Sequence, residues 1–161
     1  MDRQSAVLLL IANISSRKFA QNNSNRTMGV VTVFLDKITD LKDSDGMGKS
    51  DPYCKLHLEK DNWGPLDKDH GTQTSSKKGN TCNPEYAETF SFHDVPSLES
   101  LVLHVTVYDD DVLKDDKIGS VTIKLADING DLSDFQEVVE KLDNKWFRKD
   151  AKVHLKIKFE G

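Results

Sequence analysis

The chain has 161 residues, with 22 basic and 27 acidic side chains and a formal charge of −5. That length fits one domain with one sizeable core, and the acidic balance argues against nucleic acid as a partner. The two cysteines, Cys54 and Cys82, read as free thiols of a reducing compartment.

Residues 1–28 read as an N-terminal extension, and residues 29–161 as the domain proper. Residues 6–14 are apolar but too short to span a bilayer as a helix. They suit an extra strand, a short helix over exposed core, or part of a tail. A secretory signal fits less well, because Asp2 precedes Arg3 and no small-x-small cleavage site follows. Residues 15–28 are polar and rich in Asn and Ser, as in a linker.

From Gly29, Val31, Val33 and Leu35 alternate with Val30, Thr32 and Phe34, the period of a strand. A first acidic loop follows, Asp45-Gly46-Met47-Gly48-Lys49-Ser50-Asp51-Pro52-Tyr53. Residues 53–58 make the next strand, with Cys54 on the side of Leu56 and Leu58. Residues 61–70, with Trp63, Gly64 and Pro65, look like an irregular insertion, and 71–78 like a surface hairpin strand. Asn83 and Pro84 turn the chain into a strand over 86–92. Residues 101–107 are the cleanest strand, with Leu101, Leu103, Val105 and Val107 on one face and His104 on the other. A second acidic stretch, from Tyr108 to Gly119, leads into a strand over 118–125. In 133–142, Phe135, Val138, Val139 and Leu142 recur at helical spacing behind a capping Ser133 or Asp134, which predicts a short helix. The last strand, 152–159, turns Val153, Leu155, Ile157 and Phe159 inward and Lys152, His154, Lys156 and Lys158 outward. About eight strands with little helix predict an all-β, antiparallel sandwich.

Both acidic loops adjoin strands that pair if they lie side by side, so the loops meet at one end of the sandwich. Asp45 and Asp51 then face Asp109, Asp111 and Asp116. Clustered carboxylates repel one another and call for a hard cation; calcium, with six to eight oxygen ligands, fits best, and five carboxylates suit two or more ions. Zinc is disfavoured, since no cysteine or histidine belongs to the set. An EF-hand started at Asp43 fails, with Met47 at its fifth position and Cys54 where a bidentate glutamate is required.

Met47, Val112 and Leu113 lie at the loop apices, and Lys49 and Lys114 flank them. Apolar tips around a cation site predict shallow insertion into a bilayer, with the lysines meeting anionic head groups such as phosphatidylserine. Lys55, His57 and Lys60 are taken as the outward positions of one strand, with Lys77 and Lys78 near a neighbouring one, a basic patch for phosphoinositide head groups or a plain solvated face. A protein-interaction module, with or without calcium, is the alternative, because apolar tips can also dock a protein. An enzyme is not expected: His57, His70, His93, His104 and His154 are dispersed, and no nucleophile elbow or phosphate-binding glycine loop occurs.

The chain resembles the C2 domain family over residues 29–159. The landmarks are Leu41-Lys42-Asp43-Ser44-Asp45, Ser50-Asp51-Pro52-Tyr53, residues 83–92, Val107-Tyr108-Asp109-Asp110-Asp111, Ile118-Gly119, and Trp146 before the last strand. The resemblance implies an eight-stranded Greek-key sandwich that binds calcium in its apical loops and docks on phospholipid. It gives ligand roles to Asp45, Asp51, Asp109, Asp111 and Asp116. The second loop looks one residue short, so Asp115 competes with Asp116; Asp110 is a candidate through its carbonyl, and Asp43 as a neighbour. A last strand standing in for the first strand of the synaptotagmin-type order implies the permuted, type II topology of the phospholipase-like members. The implied setting is cytoplasmic, with calcium moving the protein to a membrane face.

Overall fold

Alternation of apolar and polar residues drives most of the described residues into strands. The computed structural model describes residues 28–41, 50–61, 69–111, 115–143 and 150–161. Within them run β1 (Gly29–Thr39), β2 (Pro52–Lys60), β3 (Asp69–Thr74), β4 (Glu85–Val95), β5 (Leu101–Asp109), β6 (Asp116–Lys124), β7 (Gln136–Lys141) and β8 (Lys152–Glu160). They form two four-stranded antiparallel sheets, ordered β4-β1-β8-β7 and β3-β2-β5-β6.

Successive side chains of a strand point to opposite faces, so each sheet has one apolar row. Val31, Val33 and Leu35 of β1 and Val153, Leu155 and Ile157 of β8 line one inner face. Cys54, Leu56 and Leu58 of β2 and Leu103, Val105 and Val107 of β5 line the other. Each fully buried aliphatic side chain contributes about 1.5–3 kcal/mol. In β4 the alternation slips twice, at the shifts in β1–β4 register that flank Ala87 (φ 52°) and Asp94 (φ 58°). These bulges let Tyr86, Phe90, Phe92 and Val95 all reach the core. The Tyr86 hydroxyl, buried between the sheets, donates to the Pro52 carbonyl at 3.1 Å and ties β4 to β2.

The last strand sits centrally. β8 pairs with β1 from Val30↔Glu160 to Thr39↔Lys152, and with β7 on its other side. This is the permuted arrangement expected from the resemblance.

Residues 133–142 differ from the expected helix. Their core is β7, paired with β8 from Gln136↔Ile157 to Lys141↔Lys152. Val138 is 8% exposed and its neighbour Val139 52%, the alternation of a strand. A ten-residue helix must meet the cost of nucleation alone, whereas β8 offers a free row of backbone partners and the two β-branched valines suit a pleated surface. The short helix in a late connection is a single 3-10 turn, Leu125–Asp127, anchored by buried Leu125.

Cys54 and Cys82 are both free. Burial pushes the Cys54 thiol up to about 12. The extension over 1–27, the insertion around Trp63 and Trp146 lie outside the described residues. Among the described residues no helix is long and apolar enough to cross a membrane.

The strand at β7 sets two neighbouring valines apart. Val138→Ala removes two buried methyl groups and is expected to cost about 1–2 kcal/mol in urea unfolding. Val139→Ala should stay within about 0.5 kcal/mol. Equal losses at the two positions are the signature of a helix and would contradict the strand.

Candidate functional site: the acidic end of the second sheet

β2 and β5 pair without a register break from Pro52↔Asp109 to Lys60↔Leu101. β5 in turn pairs with β6, with Asp109 opposite Asp116. Asp51, Asp109 and Asp116 therefore come to one end of one sheet on adjacent strands, which are spaced about 4.8 Å apart. Asp109 is only 2% exposed. A buried carboxylate needs donors, and the backbone N–H of Asp51 donates to its Oδ1 at 2.8 Å. The Asp110 N–H returns to the Asp51 carbonyl at 3.3 Å. The two loop bases are thus stitched together by the protein's own hydrogen bonds.

A strap over residues 75–81 lies along the base of the first loop. Ser75 N–H donates to the Cys54 carbonyl (2.9 Å), Lys78 N–H to that of Pro52 (3.1 Å) and Thr81 N–H to that of Ser50 (3.0 Å). The Asn80 N–H reaches Asp51 Oδ1 at 2.6 Å. Lys77 extends from the strap to Asp110, with Nζ 2.5 Å from Oδ2. That hydrogen bond holds the Lys77 ammonium above its usual range.

On the outer face of the sheet, Tyr53 and Tyr108 stack with ring centres 5.5 Å apart, and the Lys55 ammonium lies 4.8 Å from the Tyr108 ring centre. The Tyr53 hydroxyl donates to Asp115 Oδ2 at 2.6 Å. Burial first, then that carboxylate, pushes the Tyr53 phenol up to about 12. The same bond is the main cause holding the Asp115 carboxyl below its ordinary range.

Asp111 and Asp116 are exposed beside this cluster, and Asp110 and Asp115 are half-buried. Asp43, Asp45, Met47, Lys49, Val112, Leu113 and Lys114 lie outside the described residues. Among the described residues no three His, Cys, Asp or Glu side chains are arranged around a common metal position. The donor types at this sheet end, carboxylates with no thiol or imidazole among them, are those that a hard cation takes.

The residues read as a basic patch take different partners. Lys55 and His57 do face outward. Lys60 falls on the parity of buried Leu56 and Leu58, at the strand end, because its spacing from His57 is odd. His57 is taken up by Asp69 (3.0 Å) and Lys78 by Glu88 (3.8 Å), while Lys77 turns to Asp110. Tyr53 and Tyr108 entered the sequence reading only as landmarks, and Asn80 not at all. The signal for the tyrosines was their position, one at the exit of the first acidic loop and one at the entry of the second.

The profile of the C2 domain matches residues 29–147. Human Synaptotagmin-1 is 37% identical over 116 residues, covering 70% of this chain and 26% of that protein, so the chain spans about a quarter of the relatives it matches. A single C2 domain of plant Extended Synaptotagmin 1 superposes with a TM-score of 0.67 at 22% identity, covering 82% of this chain and 94% of that one. The calcium-bound tandem C2 domains of Extended-Synaptotagmin 2 give 0.63 at 23% identity, over 81% of this chain and 45% of that one.

The Tyr53–Asp115 bond has a pH signature. A depressed folded pKa stabilises above the unfolded carboxylate value of about 4, and that stabilisation is lost as pH falls through the lower folded value. Tyr53→Phe should therefore move the Asp115 pKa upward, read by carboxyl-detected NMR titration in chelator. An unmoved Asp115 would show that another group holds it.

Proposed function

The chain belongs to the C2 domain family, and on that premise we propose that it is a calcium-dependent module for binding anionic phospholipid membranes. The carrying observation is that Asp109 and Asp116 stand opposite each other on β5 and β6, with Asp51 bonded through its N–H to the Asp109 carboxylate at the same sheet end. In this reading Asp45, Asp51, Asp109, Asp111 and Asp116 hold the ions, with Asp110, Asp115 and Asp43 as neighbours able to add oxygens. Bound calcium supplies positive charge that offsets the carboxylates and offers open coordination to lipid phosphate.

The rest of the work falls to the protein. The Asp51 N–H bond to the Asp109 carboxylate and the Asp110 N–H bond to the Asp51 carbonyl keep the two loop bases in contact, which preorganises these ligands. Met47, Val112 and Leu113 enter the bilayer interface, and Lys49 and Lys114 meet anionic head groups such as phosphatidylserine. Support comes from the family's membrane-targeting members and from the calcium-bound Extended-Synaptotagmin 2 domains. The corresponding setting is the cytoplasm, with movement to a membrane face as calcium rises. Lys55, held over the two tyrosines, gives a more limited foothold for phosphoinositides than the patch read from the sequence.

Co-sedimentation tests this with vesicles of phosphatidylcholine alone or with phosphatidylserine, in calcium or chelator. Binding is expected only with calcium and phosphatidylserine together. Asp109→Asn keeps an oxygen for the Asp51 N–H but removes a ligand charge. Losing groups that merely orient metal ligands costs about 10–100-fold, so this variant should weaken calcium-dependent binding at least comparably while remaining folded. Met47→Ser with Leu113→Ser should lose vesicle binding yet retain calcium binding. Failure of the folded parent to bind any vesicle at millimolar calcium would reject the lipid reading and favour a protein partner.

A further inference from the structure

We infer that Lys77 is a tethered counter-cation of the acidic loops, one that competes with calcium and sets the affinity of the lipid-free protein. The inference rests on the calcium reading above and adds a determinant outside the ligand set.

Three observations support it. Lys77 Nζ sits 2.5 Å from Asp110 Oδ2, between Asp109 and Asp111 in the chain. Its backbone has little freedom, because both neighbours are pinned. Ser76 N–H donates to Glu88 Oε2 at 3.0 Å, and Lys78 N–H to the Pro52 carbonyl at 3.1 Å. The nearby lysines are aimed elsewhere. Lys55 lies over the Tyr53 and Tyr108 rings, and Lys78 lies near Glu88 and over Tyr86.

The Lys77 and Asp110 side chains are 59% and 33% exposed, so their pair adds little to stability. Its consequence is electrostatic. A tethered ammonium on Asp110, close enough to feel Asp115 and Asp51 as well, neutralises part of the field that attracts a divalent cation. It also repels that cation directly at short range. The strap that presents Lys77 already binds the Asp51 carboxylate through the Asn80 N–H. One segment therefore supplies both a fixed dipole and a movable charge to the site.

Calorimetric titration of calcium into the lipid-free full chain tests this at low and high ionic strength, with folding checked by circular dichroism. Lys77→Gln should bind calcium about 3–10-fold tighter at low ionic strength. The gain should shrink at high salt, where the screening length falls to about 3 Å. Lys77→Arg, which keeps the charge, should stay near the parent. Lys78→Gln removes the same charge one residue away and should stay within about twofold of the parent. Equal affinities of Lys77→Gln and parent would overturn the inference alone. So would an equal gain in Lys78→Gln, which would mark an effect of net charge. A folded parent that takes up no calcium would overturn the calcium reading and this inference together.

Discussion

The pairing of β2 with β5 is the constraint on which the rest depends. The two strands run opposed without a bulge from Lys60↔Leu101 to Pro52↔Asp109. Cys54, Leu56 and Leu58 on one and Leu103, Val105 and Val107 on the other all point inward. A slip of one residue would turn one strand's apolar row to solvent and bring Lys55 and His57, or His104 and Thr106, into the core. Burial thus fixes the register, and the register brings Asp51 beside Asp109. β6 then carries Asp116 to the same end. The strap over 75–81 is hung from the carbonyls of Ser50, Pro52 and Cys54 in the same part of the chain.

The acidic end is built against its own repulsion. Asp109 is nearly buried and held by a backbone amide. Asp51 receives the Asn80 amide, Asp115 the Tyr53 hydroxyl and Asp110 the Lys77 ammonium. Amides and hydroxyls stabilise a carboxylate without cancelling its charge, so they leave attraction for a cation in place. An ammonium cancels a whole charge and opposes a cation. Buried Asp109 is held by the first kind, and half-buried Asp110 by the second, where solvent weakens the pair and makes it exchangeable.

The limits of the sequence reading trace to particular residues. Strands such as 101–107 and 152–159 were legible because their apolar rows have a period of two and each belongs to a buried central strand. Residues 133–142 were misread because Phe135, Val138, Val139 and Leu142 fit a helical period, and a short apolar run does not separate the two periods. The decision belonged to β8, whose open edge gave that segment its backbone partners. Lys60 was misplaced by parity, and His57, Lys77 and Lys78 were read without the acidic partners that they take in the fold. Glu88 and Asp110 are joined to Lys78 and Lys77 only by the folded geometry.

By itself the sequence determined the fold class, the order of most strands, the family resemblance and the presence of two acidic loops with apolar apices. These follow from local periodicity and composition, which a single strand or loop expresses alone. The tertiary structure decided which carboxylates share a sheet end, how deep each lies, and which donor each one holds. It also turned Lys77 from an expected surface charge into a partner of the site. Such properties depend on contacts between segments far apart in the chain, set by core packing and register rather than by any local stretch of residues.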